Sequence, residues 1–149
     1  VTYPLHIILR YEMEKSLFDG SATVDVLPEL WNDKMEEYLG IRPPTDTLGV
    51  LQDIHWSGGS FGYFPSYTLG AIYACQFFNA MKKQIPDVEQ QIEQGNFANI
   101  KTWLNQNIHS KGRLYGTDEL VRQVTGESLD PQQFVTYLQA KYREIYRLV

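Results

Sequence analysis

The chain has 149 residues, 43% hydrophobic and 21% charged, with a formal net charge of −5, which suits one soluble domain with a real core. An acidic chain without a basic stripe excludes nucleic acid as the main partner. The lone Cys75 forbids an intramolecular disulfide and points to a reducing, cytoplasmic setting, and no basic segment plus apolar run opens the chain as a secretory signal would.

Helical spacing dominates from the start. In YPLHIILRYEMEKSLFDG, Leu5, Ile8, Leu9, Met13 and Leu17 recur at three and four residues, with Pro4 tolerable only in a first turn and Gly20 as a stop. A second helix is predicted from about Pro28 to Tyr38, with Leu30, Met35 and Leu39 inward and Gly40 ending it. IRPPTDTLG forbids helix at its two prolines, and Thr45 or Asp46 can cap a short turn. Residues 49–65 read as an aromatic, glycine-rich loop. From Ser66 to about Ile85 the pattern is a helix apolar on nearly every face, with Lys82 and Lys83 at its C-terminal end. Pro86 and Asp87 restart a short helix to Gln94. Further helices are predicted at about 97–109, 117–125 and 131–147. Thr117 with Asp118 caps the second of these and Asp130 with Pro131 opens the third, whose inward face is Phe134, Leu138, Tyr142 and Ile145. Strand alternation is nearly absent. The expectation is one all-α domain over 1–149.

Residues 61–81 carry no charge over a length able to span a bilayer, but Pro65, Ser66, Gln76, Asn79 and the glycines dilute the run. It reads as a buried helix preceded by a loop, and no membrane is expected as a partner. Across residues 43–81 the formal charges are Asp46 and Asp53 alone. That middle stretch must be enclosed, by the rest of this chain or by something beyond it.

Generic chemical motifs are weak. His6, His55 and His109 offer no pair at the one-turn spacing common in zinc sites, so no metal and no other cofactor is expected within the chain. Cys75 sits in the apolar helix, where a thiol is usually inert packing. Ser57, Ser60 and Ser66 lack the strand-turn-helix context of a nucleophile elbow, and SGGSFG is followed by no Gly-Lys-Ser/Thr. The helix beginning near Ser66 has free N–H groups that suit a carboxylate. Taken alone, Asp53, His55 and Trp56 are a turn aspartate, a hydrogen-bonded histidine and a core indole, and Arg42 is a solvated loop arginine.

Two strings are more specific. GVLQDIHW at 49–56 resembles, position for position, the Gly-x-x-Gln-Asp-x-His-Trp signature of the carboxypeptidase Taq family of metallocarboxypeptidases. IRPPTD at 41–46 looks like that family's Ile/Asn-Arg-x-x-Ala/Ser-Asp signature, with Thr45 in place of Ala or Ser. TYPLHIILRYEMEK at 2–15 and GSFGYFPSYTLGA at 59–71 are also similar to family segments. The resemblance covers essentially the whole chain but roughly the last third of a full-length member. It lacks the family's His-Glu-x-x-His and His-Glu-Ser-Gln zinc motifs.

The resemblance implies a C-terminal fragment of a larger helical, zinc-dependent carboxypeptidase that removes C-terminal residues from peptides, inactive alone and with its zinc ligands outside this chain. It also implies the N-terminal remainder of the same protein and a second copy, as a homodimer, as partners. Within the matched motifs, Arg42 suits the substrate carboxylate through its bidentate fork, with a structural ion pair to Asp46 as its rival. Asp53 can orient His55 by accepting its ring N–H, leaving the imidazole for substrate or oxyanion. Gln52 suits the substrate backbone and Trp56 a place beneath the site. Tyr63 or Tyr67 suits oxyanion donation. The competing class is a stand-alone helical binding module whose uncharged middle docks a partner.

Overall fold

A computed structural model describes residues 1–148. Among them the fold is all-α, with no strand and with four short 3-10 turns between the helices. Helix α1 is Tyr3–Phe18, with Pro4 in its first turn where the missing N–H costs nothing. Helix α2, Leu27–Leu39, ends at Gly40, whose φ of 68° lets its N–H reach back to Glu36 and Met35 carbonyls. A 3-10 turn at Asp46–Leu48 is capped by Thr45, and another follows at Val50–Gln52. Inside the stretch expected as loop lies a helical turn, α3, at Ile54–Ser57. Helices α4 to α8 are Pro65–Gln84, Val88–Glu93, Ala98–Asn107, Thr117–Thr125 and Pro131–Tyr146. Asp130 caps α8 by accepting from Gln132 N, as the Asp-Pro pair predicts. Extended Gly116, rather than Thr117, is the cap residue of α7, so Thr117 is already its first helical residue.

The chain divides into two compact units, Val1–Leu69 and the stretch from Gly70 on, with α4 running through the division. In the first unit Leu9 and Met13 of α1 meet Leu27 and Trp31 of α2, with Leu17, Leu30, Met35, Val50 and Trp56 packed around them. Ile8, expected inward, is 40% exposed and Ile7 is buried in its place. The reason is that α1 serves two surfaces. Leu9 and Met13 face α2, while Ile7, Arg10 and Glu14 are turned about 100° away toward residues 49–65.

In the second unit Ala80 and Met81 of α4, Val88 of α5 and Trp103 of α6 form the core. Gln76 is 1% exposed there; its Nε2 donates to Ser128 O at 2.9 Å and its Oε1 accepts from Asp130 N at 3.0 Å. One amide thus fixes the entry to α8. Ile145, expected inward on α8, is exposed. None of the described helices is long and apolar enough to cross a membrane.

Candidate functional site

Asp53 organises the centre of the first unit. Its carboxylate is 1% exposed, and its Oδ1 accepts from His55 N at 2.9 Å and Trp56 N at 3.0 Å, capping α3. Its Oδ2 accepts from Arg10 Nε at 2.7 Å. Arg10 also donates to His6 O at 3.0 Å, and its guanidinium lies 4.6 Å from the centre of the Trp31 indole and 5.6 Å from that of Phe64. A buried charge is tolerable only when paired and hydrogen-bonded, and both members of this pair meet that condition.

Glu14, one turn after Arg10 on α1, is 4% exposed. Its Oε1 accepts from Trp56 Nε1 and its Oε2 from Gly62 N, each at 2.8 Å. Hydrogen bonds to a charged group contribute about 1.5–3 kcal/mol each, and these two fasten both sides of the 57–61 turn to α1. The φ of 73° at Gly62 is a left-handed conformation that a side chain would strain. Gly49 is needed for another reason. A Cβ there would come within 3.3 Å of Pro43 Cβ and Thr45 O and within 3.4 Å of Trp31 Cδ1. The two signature-like strings therefore pack directly on one another through that glycine.

Above this frame sits a cleft of about 300 Å³ lined by Tyr3, His6, Arg10, Gln52, His55 and Tyr67, among others. His55 Nε2 lies 3.0 Å from Tyr67 Oη. The imidazole is packed between rings, its centre 4.6 Å from that of Phe64 and 6.0 Å from that of Tyr63, with Tyr67 edge-on at 5.9 Å. Desolvation raises the Tyr67 phenol, with further contributions from Tyr63 and Tyr3, so it remains a protonated donor at neutral pH. Burial, and then the nearby Arg10, lowers His6, which favours the neutral imidazole.

The structure thus brings Gln52, Asp53, His55, Tyr63 and Tyr67 together. The ring contact expected between Asp53 and His55 is not formed: His55 Nδ1 is 4.0 Å from Asp53 Oδ1, because that oxygen is occupied by two backbone N–H groups. Trp56 lies beneath the cleft, edge-on to Trp31 and Phe64. Gln52 lines the cleft and donates its amide to Thr47 O. Arg42 and Asp46 stand apart from the cleft lining. Arg42 meets Glu29, Asp33 and Glu36, which share one face of α2 at helical spacing, rather than Asp46. Reading the sequence missed Arg10, Glu14 and Phe64. The available signal was that Arg10 and Glu14 are spaced i, i+4 and each follows a core residue, Leu9 and Met13.

The middle stretch is only partly enclosed by this chain. Leu48, Leu51 and Ile54 are each more than 60% exposed. Among the described residues no group of three or more His, Cys, Asp or Glu is placed to hold a metal ion.

Comparison with known proteins shows the family and the fold. A family model described as carboxypeptidase Taq (M32) metallopeptidase matches residues 1–142. Carboxypeptidase 1 of Bacillus subtilis is 46% identical over 148 residues, 99% of this chain and 30% of that protein. Thermostable carboxypeptidase 1 of Pyrococcus furiosus is 44% identical over 142 residues, 95% of this chain and 28% of that protein. The crystal structure of the M32 carboxypeptidase of Deinococcus radiodurans superposes with a TM-score of 0.94 at 35% identity, covering 99% of this chain and 30% of that one. The chain therefore spans less than a third of the length of the relatives it matches.

Proposed function

Because the chain belongs to the carboxypeptidase Taq (M32) family of metallopeptidases, we propose that it forms the C-terminal, substrate-binding portion of a zinc-dependent carboxypeptidase that removes C-terminal residues from peptides. The zinc, as the Lewis acid of such an enzyme, is held by residues outside this chain. The observation that carries the reading is the 3.0 Å contact between His55 Nε2 and Tyr67 Oη in the cleft.

When His55 carries its proton on Nε2, it donates to the phenol oxygen and frees the Tyr67 O–H to point at substrate. That hydroxyl is the donor for the oxygen that becomes negative as the scissile carbonyl is attacked. Tyr63, stacked on His55, limits rotation of the ring and is the second phenol at the site. Gln52 and Trp56 hold the substrate backbone and the floor, and Asp53 keeps the His55 turn in place. Arg42 has the guanidinium fork that suits a terminal carboxylate, but it meets Glu29, Asp33 and Glu36 and, like Asp46, stands outside the cleft lining, so neither is given a contact with a substrate held at His55 and Tyr67. The family resemblance further supports a homodimer, and the single Cys75 supports a reducing cytoplasm as its setting.

The test uses the whole protein that carries this chain, with an N-blocked dipeptide as substrate. Tyr67→Phe and His55→Gln are each expected to lower kcat/KM on the order of 100-fold while bound zinc is unchanged, as for loss of one oxyanion donor. Two zinc-loaded variants with unaltered turnover would overturn the assignment.

A further inference from the structure

His55 and Tyr67 lie on a segment with little secondary structure of its own on the His55 side: a four-residue helical turn followed by the glycine-containing turn 57–61. Such a segment does not hold a histidine ring and a phenol at 3.0 Å by local preference alone. What fixes it comes from more than forty residues earlier in the chain. Glu14 bonds the indole N–H of Trp56, the residue after His55, and the backbone N–H of Gly62, the residue before Tyr63. Both oxygens of one buried carboxylate are thereby used on the two ends of a single turn. Arg10 holds the same segment at Asp53 from the same face of α1. Glu14 lines none of the His55–Tyr67 cleft, and its two carboxylate oxygens are engaged by Trp56 and Gly62.

We infer that Glu14 is a positioning residue for the His55–Tyr67 pair: it sets the angle and distance of the two side chains by pinning Trp56 and Gly62 to α1. The inference rests on the functional reading above. A neutral amide cannot replace the carboxylate, because Gln offers one acceptor oxygen and turns an N–H₂ toward the other donor. Displacements of about 1 Å at a reacting centre cost on the order of 100-fold in rate.

The experiment is kinetic, on the whole zinc-loaded protein with the same dipeptide. Glu14→Gln should lower kcat on the order of 100-fold with KM little changed, while metal content and far-ultraviolet circular dichroism stay at their original values. Combined with Tyr67→Phe it should add almost nothing, since both changes disable one unit, whereas independent defects multiply. An unaltered kcat, or losses that multiply, would overturn the positioning role. Should Glu14→Gln not fold, Trp56→Phe removes the indole N–H, together with part of the ring packed on Trp31 and Phe64, and must show the same non-additivity with Tyr67→Phe; multiplication there overturns the inference equally. If Tyr67→Phe and His55→Gln by themselves leave kcat intact, the functional reading fails first, and that failure is visible without any Glu14 variant.

Discussion

In the unit Val1–Leu69 the buried polar side chains are Glu14 and Asp53, with Arg10 beside them; in the unit from Gly70 on they are the amides Gln76 and Gln91. Both sets do the same mechanical task. Asp53 and Glu14 hold a segment of sparse secondary structure against α1, while Gln76 holds the turn before α8 and Gln91 accepts from Asn99 at 3.1 Å. An amide donates and accepts at once and carries a smaller desolvation penalty than an ion, so it suits a scaffold. A charged pair is stronger and more directional, but it is unforgiving when one partner is lost. The charged solution occurs where the cleft is, and preorganised dipoles and fixed angles matter there.

The largest test of that contrast is Asp53→Ala. It removes the cap of α3 and strands the Arg10 guanidinium, and urea unfolding of the chain should show a loss of about 3–5 kcal/mol. A loss below about 1 kcal/mol would mean the charged frame carries no special weight, since an ordinary hydrogen bond contributes that much. Gln76→Leu is the matching change in the second unit. It leaves Ser128 O and Asp130 N without their partner, with an expected cost of about 1–3 kcal/mol, read the same way. If the two losses came out equal, the distinction between charged and amide frames would not hold.

The smallest effect is one of pH. The His6 imidazole is lowered from its ordinary 6.5 by burial and then by Arg10, so the unfolded chain binds the proton more readily than the folded one. This contribution to stability is fully present above pH 6.5 and is lost as pH falls from there through the lowered folded value. His6→Gln should flatten that part of the pH profile of unfolding. An unchanged slope would remove His6 from the electrostatics of the cleft.

Helix boundaries were legible because their causes are local. Pro4, Gly40 and the Asp130–Pro131 pair act within one turn of where they sit, and all three mark helix ends as expected. The signature-like strings were legible as strings, and the cleft takes Gln52, Asp53 and His55 from the second of them and Tyr67 from the family-like segment at 59–71. Which face each residue presents was less legible. Ile8 and Ile145 fit apolar spacing yet are exposed, because spacing along a helix says nothing about what lies opposite. The helical turn at Ile54–Ser57 was hidden for a related reason. It is too short for periodicity, and its cap is an aspartate whose second oxygen answers to Arg10.

The sequence by itself determined that this is a helical chain with a low-charge, ring-rich middle bearing the marks of a metallocarboxypeptidase. Those properties are sums over neighbours or matches of order, and neither needs a third dimension. Tertiary packing alone turns Arg10 and Glu14 of α1 inward to hold Asp53, Trp56 and Gly62. The same packing gives the His55 ring Tyr67 as its hydrogen-bond partner, while Asp53 bonds the His55 backbone N–H. Hydrogen bonds across more than forty residues depend on how α1 is rotated against the rest of its unit, and that rotation is fixed by packing the Leu9 and Met13 face on α2.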